Sequence, residues 1–156
     1  MTLSDLLEFF HILFVFVLLG ALGMITFSSV MVARETDVHK FGIYMSIGKT
    51  GGMISGPTLI PVGLFGFLSA WEFGWSLTEG WLIASYISTV VALIVPALTF
   101  KRWGQQAGAL MPQAIKEGRI LPEQKEIMTG TKYRATEAFM YGLLVFIAYV
   151  MVFKPF

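Results

Sequence analysis

Four stretches of the chain contain no Asp, Glu, Lys or Arg, and their lengths constrain the fold more than any motif does. They are residues 9–33 (25 residues), 50–71 (22), 80–100 (21) and 138–153 (16). A helix needs about 20 mostly apolar residues to cross a hydrocarbon core, within a range of roughly 17–25. The last stretch is slightly short, but Lys154 can snorkel and lengthen it. Composition agrees: 13% of residues are charged and 56% hydrophobic, whereas a soluble domain carries about 25% charged residues. So few charges cannot cover a water-facing surface, and disorder would need the opposite balance. A membrane β-barrel would show alternating segments of about 10 residues instead. The expected fold is all-α: a polytopic membrane four-helix bundle. It forms a single membrane domain over residues 1–156, with spans near 7–33, 43–71, 80–100 and 135–154 and a connection at 101–134.

The first apolar segment is too long for a signal-peptide core. It also lacks a basic leader, since Asp5 and Glu8 are the only charges before it, and it is expected to be a retained span. Orientation follows from Lys and Arg alone. Ten of the 11 fall in the connections after the first and third spans or at their edges; Lys154 is the exception. Both termini and the short 72–79 connection are therefore expected outside, on the periplasmic side of a bacterial inner membrane, and 101–134 in the cytoplasm. Trp71, Trp75 and Trp81 around the outer connection and Trp103 near the inner one read as lipid-facing interfacial anchors.

The second span carries Gly48, Gly52 and Gly56, a four-residue repeat of the kind that lets a neighbouring backbone approach closely. The small residues Ala84, Ser85, Ser88 and Ala92 make the third span its natural partner. Pro57 and Pro61 continue the repeat and predict a kink, with Ser55 and Thr58 available to satisfy freed backbone groups. A broken helix lining a ligand or ion path is the functional version of the same pattern. In the 101–134 connection, Gly118 reads as a helix stop and Pro122 as a helix start. Its basic excess suits anionic headgroups or plain solvation.

Most candidate chemistry fails on spacing. Gly42 to Thr50 has five residues between its glycines where a phosphate loop needs four, and it opens a membrane helix. There is no cysteine, no paired intramembrane carboxylate and no triad, so catalysis by the chain's own side chains is not expected. The net charge of +1 offers no field for nucleic acid. Of two histidines, His39 lies in a charged connection. His11 lies about one turn into the first span with Glu8 on the same helix face. Ionisable groups in a span are functional candidates by default. Glu8 could orient the His11 imidazole as the outer partner of a metal or haem ligand. With no second histidine in another span, Met24, Met45, Met53, Met140 and Met151 are the available second ligands. Lys49 reads as a snorkelling residue at the inner end of the second span; with a helix start near Gly42 it lies one or two turns inside, placed to pair with a lipid phosphate or Glu137.

Read along its whole length, the chain resembles a family of small four-span bacterial integral membrane proteins of unknown function. Three features carry the likeness: Phe10-His11-Ile12-Leu13, Gly80-Trp81-Leu82 and the ending Met151-Val152-Phe153-Lys154-Pro155-Phe156. That family is distantly similar to copper-resistance D-type membrane proteins and to the membrane haem-containing protoporphyrinogen oxidase. The resemblance implies a metal or haem role for a histidine at the His11 position, with haem b or copper as cofactor. The oxidase group also uses a lysine in a later helix, whereas the third span here has none and Lys49 lies in the second. Three functional expectations result. The first is a non-catalytic accessory or assembly subunit that packs in the bilayer against other membrane subunits or itself. The second is a haem- or copper-binding protein using His11, and the third a small transporter acting through the second helix.

Overall fold

The computed structural model describes residues 2–155, and these are helical almost throughout. Helix α1 spans Leu3–Arg34, α2 Val38–Glu72 and α3 Gly80–Leu98. Three short helices follow, α4 (Phe100–Ala109), α5 (Met111–Glu117) and α6 (Pro122–Thr129), before α7 (Thr131–Phe153). Among the described residues four helical stretches are long and apolar enough to cross a membrane. The chain is thus an all-helical, four-span membrane bundle.

Local chemistry sets the breaks. Thr2 and Asp5 form a reciprocal capping box at the start of α1. Glu35, Thr36 and Asp37 alone separate α1 from α2, which forces the two into an antiparallel hairpin. Asp37 caps α2 by accepting from the amides of His39 (2.8 Å) and Lys40 (2.9 Å). Those amide bonds, Lys40 first, hold the Asp37 carboxyl below its ordinary range. A lowered carboxyl stabilises the fold at neutral pH, and the contribution is lost as pH falls through the folded value. Asp37→Ala is therefore expected to lower the thermal midpoint at pH 7. The gap to the parent narrows as the solution is acidified, and Asp37→Asn keeps most of the cap. A gap unchanged between pH 7 and pH 3 would refute the assignment.

At the other end of α2, Gly74 takes a left-handed φ of 72°, the geometry that ends many helices. The Trp75 amide then returns to the Ala70 carbonyl at 3.1 Å, which folds the 73–79 segment back over the helix end. Gly118, at φ 66°, stops α5, and Pro122 opens α6, both as the residue types predict.

The bundle consists of two helix pairs. Helix α1 lies along α2, and α3 along α7. The pairs are joined at both ends. At the basic end Val32, Phe41, Ala107, Met128 and Tyr133 form one core, into which α4 and α6 pack. Gln124 is fully buried there and donates to the Ala107 carbonyl at 2.9 Å. Arg134 bridges α7 to α1 through Ser29 and pairs with Glu137 at 2.8 Å. Glu137 is thus engaged by Arg134, while Lys49 is exposed on α2. At the tryptophan end Ala70, Trp81, Leu82 and Val150 form a second core.

The structure changes three expectations. Helix α2 runs unbroken through Pro57 and Pro61, so no broken segment forms. Thr58 and Ser55 bond back to the Ile54 and Gly52 carbonyls. The close approach on α2 is to α1, not α3, and only Gly48 of the repeat takes part, against Ser28; Gly52 and Gly56 face open space. The buried glycine is Gly51, whose position is hemmed by the Ala21 carbonyl and Ile25. A strict four-residue repeat turns about 40° per step away from a 3.6-residue face. The packed face therefore follows mixed three- and four-residue steps through Gly48, Gly51, Thr58, Val62 and Gly66. Finally, Trp81 is buried (4% exposed), and Trp103 packs on Phe100 and Tyr133. Trp81 does not face lipid and Trp103 is only partly exposed, because each packs into the joint between the helix pairs. Trp71 is 65% exposed, and Trp75 lies between these extremes.

Candidate functional site: the His11 cavity

Near the tryptophan end the two helix pairs do not meet tightly. A cavity of about 250 Å³ lies between them, walled by α1, α2, α3, the 73–79 turn and the end of α7. His11 and Glu8 line it, as do Trp75 and Trp81, so the topology gathers four of the residues singled out from sequence. Gly48, Gly52, Gly56, Pro57 and Pro61 do not line it.

His11 is placed by a local property of α2. A helical side chain covers the turn before its own Cα, so a glycine at 66 uncovers the carbonyl of residue 62. The His11 ring lies against that bare patch: a Cβ on Gly66 would sit 3.0 Å from ring atoms Cε1 and Nδ1. Nδ1 is 2.9 Å from the Val62 carbonyl oxygen. A carbonyl only accepts, so Nδ1 carries the hydrogen and Nε2 holds the lone pair of the neutral ring. Phe10 and Phe14 flank His11 one helical turn apart and both stack on Phe65, at 5.2 and 5.7 Å, which locks the register of α1 on α2. The ring's partner is thus the Val62 carbonyl, while Glu8, expected from its spacing to hold the ring, is exposed at the cavity. An imidazole that donates one N–H to a carbonyl is in the arrangement typical of a metal ligand.

Two hydroxyls of the lining, one on α2 and one on α3, are incompletely paired. Ser69 Oγ and Tyr86 OH are buried, line the cavity and make no hydrogen bond among the described residues. Each buried hydroxyl left unpaired costs about 1–3 kcal/mol, so two in one cavity mark a place built for a polar guest or water. Ser85 and Thr89 beside them are already bonded to the Trp81 and Ser85 carbonyls.

The end of α7 borders the mouth. Lys154 takes a left-handed φ of 45°, and its ammonium lies 3.8 Å from the Trp75 ring centre and 5.1 Å from that of Trp81. The two rings meet edge to face at 5.2 Å, and Trp81 Nε1 donates to the Glu79 carboxylate. A cation over two indole faces is a stabilising contact, and it ties α7 to the 73–79 turn. Met151, one turn earlier on α7, faces the same cavity, so one of the five candidate methionines shares a site with His11. Sequence spacing missed Gly66, Val62, Ser69 and Tyr86. Only the pairing of α1 with α2 and the approach of α3 make them neighbours.

Among the described residues no group of three or more His, Cys, Asp or Glu comes together for a hard metal cage. The donors that share the cavity are the His11 imidazole, the Met151 thioether and the exposed Glu8 carboxylate; the first two form a set suited to copper in its monovalent state. A haem macrocycle is poorly matched to about 250 Å³, since pockets for drug-sized ligands run from roughly 300 to 1,000 Å³.

A family model described as "Predicted integral membrane protein (DUF2269)" matches residues 5–155. No curated protein and no solved structure matches the chain.

Proposed function

We propose, from the premise that the chain belongs to this DUF2269 family of predicted integral membrane proteins, that it is a membrane-embedded metal-handling protein. His11 Nε2 and Met151 hold monovalent copper in the cavity at the tryptophan end. The observation that carries the reading is the Nδ1 bond of His11 to the Val62 carbonyl, which presents Nε2 as the ring's lone-pair nitrogen. The concentration of Lys and Arg at the opposite end supports an inner-membrane orientation with α4–α6 in the cytoplasm.

Competition of the purified protein with a chromophoric copper(I) chelator tests this. The parent is expected to take up one copper(I) per chain. His11→Ala and Met151→Leu each weaken it at least tenfold, while His39→Ala leaves it unchanged. An absorption spectrum of protein from native membranes separates copper from haem, whose Soret band would overturn the copper assignment. Equal chelator competition by the parent and His11→Ala would remove the metal reading altogether.

A second reading, an accessory subunit packing within a larger complex, rests on a different face. Gly52 and Gly56 have nothing within 4 Å of the position a Cβ would take. That leaves a small-residue surface that a helix of another subunit could approach closely. Gly52→Leu with Gly56→Leu is expected to dissociate any larger assembly seen in mild detergent without affecting copper uptake.

A further inference from the structure

The His11 cavity has a neighbour. A second, apolar groove of about 180 Å³ adjoins it along α2 and α3, lined by Leu59, Ile60, Val90 and Leu93, and the two share Gly63 and Thr89. Only a light contact lies at this shared boundary: a Cβ on Gly63 would lie 3.8 Å from Thr89 Cγ2, an ordinary contact. Ile60, Val90 and Leu93 are exposed, and at membrane depth that exposure is to lipid tails. A mostly aromatic chamber that carries two free hydroxyls thus adjoins an apolar groove that faces the bilayer.

We propose that this pair of cavities binds a quinone-class lipid: a neutral carbonyl-bearing ring in the chamber, with its apolar tail along the α2–α3 groove. Three observations select this ligand. Ser69, 7% exposed, and Tyr86 present two unpartnered buried hydroxyls that can donate to carbonyl oxygens. The chamber walls are flat aromatic rings, Trp75, Trp81, Phe67 and Tyr86, which suit a planar head better than a carboxylate on an acyl chain. Among the described residues the one ammonium at the chamber, Lys154, already lies on the indole faces and shares the cavity with the Glu8 carboxylate, so the head region is balanced for a neutral guest. The assignment goes beyond copper handling and does not depend on it, since it rests on α2 and α3 hydroxyls and not on His11.

The test is quenching of tryptophan fluorescence in the full-length, copper-free protein by decylubiquinone. The parent is expected to show saturable quenching. Ser69→Ala with Tyr86→Phe removes two hydrogen bonds and weakens affinity about tenfold, at about 1 kcal/mol or less for each bond. Because those hydroxyls are unpaired in the empty protein, its thermal midpoint is expected to hold or rise, which separates a ligand-binding role from a structural one. Leu93→Trp fills the groove and reduces the affinity for decylubiquinone to that for a tail-less quinone. Palmitate is expected not to compete. Quenching that is linear and equal in all variants would overturn the proposal, and displacement by palmitate at equal concentration would overturn the ring class. Copper uptake that persists in Ser69→Ala/Tyr86→Phe, or fails in the parent, leaves the quinone result readable by itself.

Discussion

Gly51→Leu is expected to be among the most destabilising single substitutions in the membrane-spanning part of this protein. An added Cβ at 51 would lie 2.7 Å from the Ala21 carbonyl oxygen, 2.9 Å from Ile25 Cγ1 and 3.1 Å from Met24 Cβ. The first of these is backbone, which cannot rotate away, so α1 and α2 must separate. Overpacking of a close-packed interior costs about 1–3 kcal/mol; with backbone as the obstacle, about 3 kcal/mol is expected. Gly52→Leu, one residue on, is the control, because nothing lies within 4 Å of its Cβ position. Its effect is expected to stay within about 0.5 kcal/mol. Unfolding in a denaturing-detergent titration measures both. Equal midpoints would show that α1 does not pack on the Gly51 face.

Gly66→Val is expected to have the largest effect on the site without altering any proposed ligand. Its Cβ would stand 3.0 Å from His11 Cε1 and Nδ1 and would cover the Val62 carbonyl. The ring then loses the acceptor that fixes its tautomer. Loss of such an outer partner typically costs 10–100-fold in metal affinity, and copper uptake is expected to fall by that factor. Nitrogen NMR of labelled histidine gives a second readout: the Nδ1–H signature of His11 disappears in Gly66→Val and survives in Gly63→Ala. If affinity and signature both persist, the Val62 carbonyl does not set the ring, and the copper reading loses its main support.

These two glycines show why one repeat was legible and the other was not. Gly48, Gly52 and Gly56 catch the eye because their interval is constant, yet Gly48 lies at the edge of the packed face and each further step of four turns about 40° away from it. Gly51 and Gly66 lie on the face that α1 covers, and nothing in their spacing separates them from other glycines of the span. The tryptophans divide for a similar reason. Trp71 and Trp81 flank the same turn and have the same chemistry, but Gly74 folds the chain so that Trp81 points into the joint between helix pairs and Trp71 does not. The short-helix region was more readable, since Gly118 and Pro122 act through their own backbone geometry.

The amino-acid sequence by itself determined the all-helical class, the four spans and the clustering of basic residues in particular connections. Each of these depends on local quantities: the length of a run without charges against the thickness of a hydrocarbon core, and the dihedral preferences of single residues. Tertiary structure decided which face of α2 meets α1, which tryptophans are buried, and that His11, Ser69, Tyr86 and Met151 share one cavity. Those outcomes depend on the rotation of each helix about its axis. In a bilayer, lipid tails reward every apolar face alike, so that rotation is set by close packing and a few hydrogen bonds between residues distant in the chain.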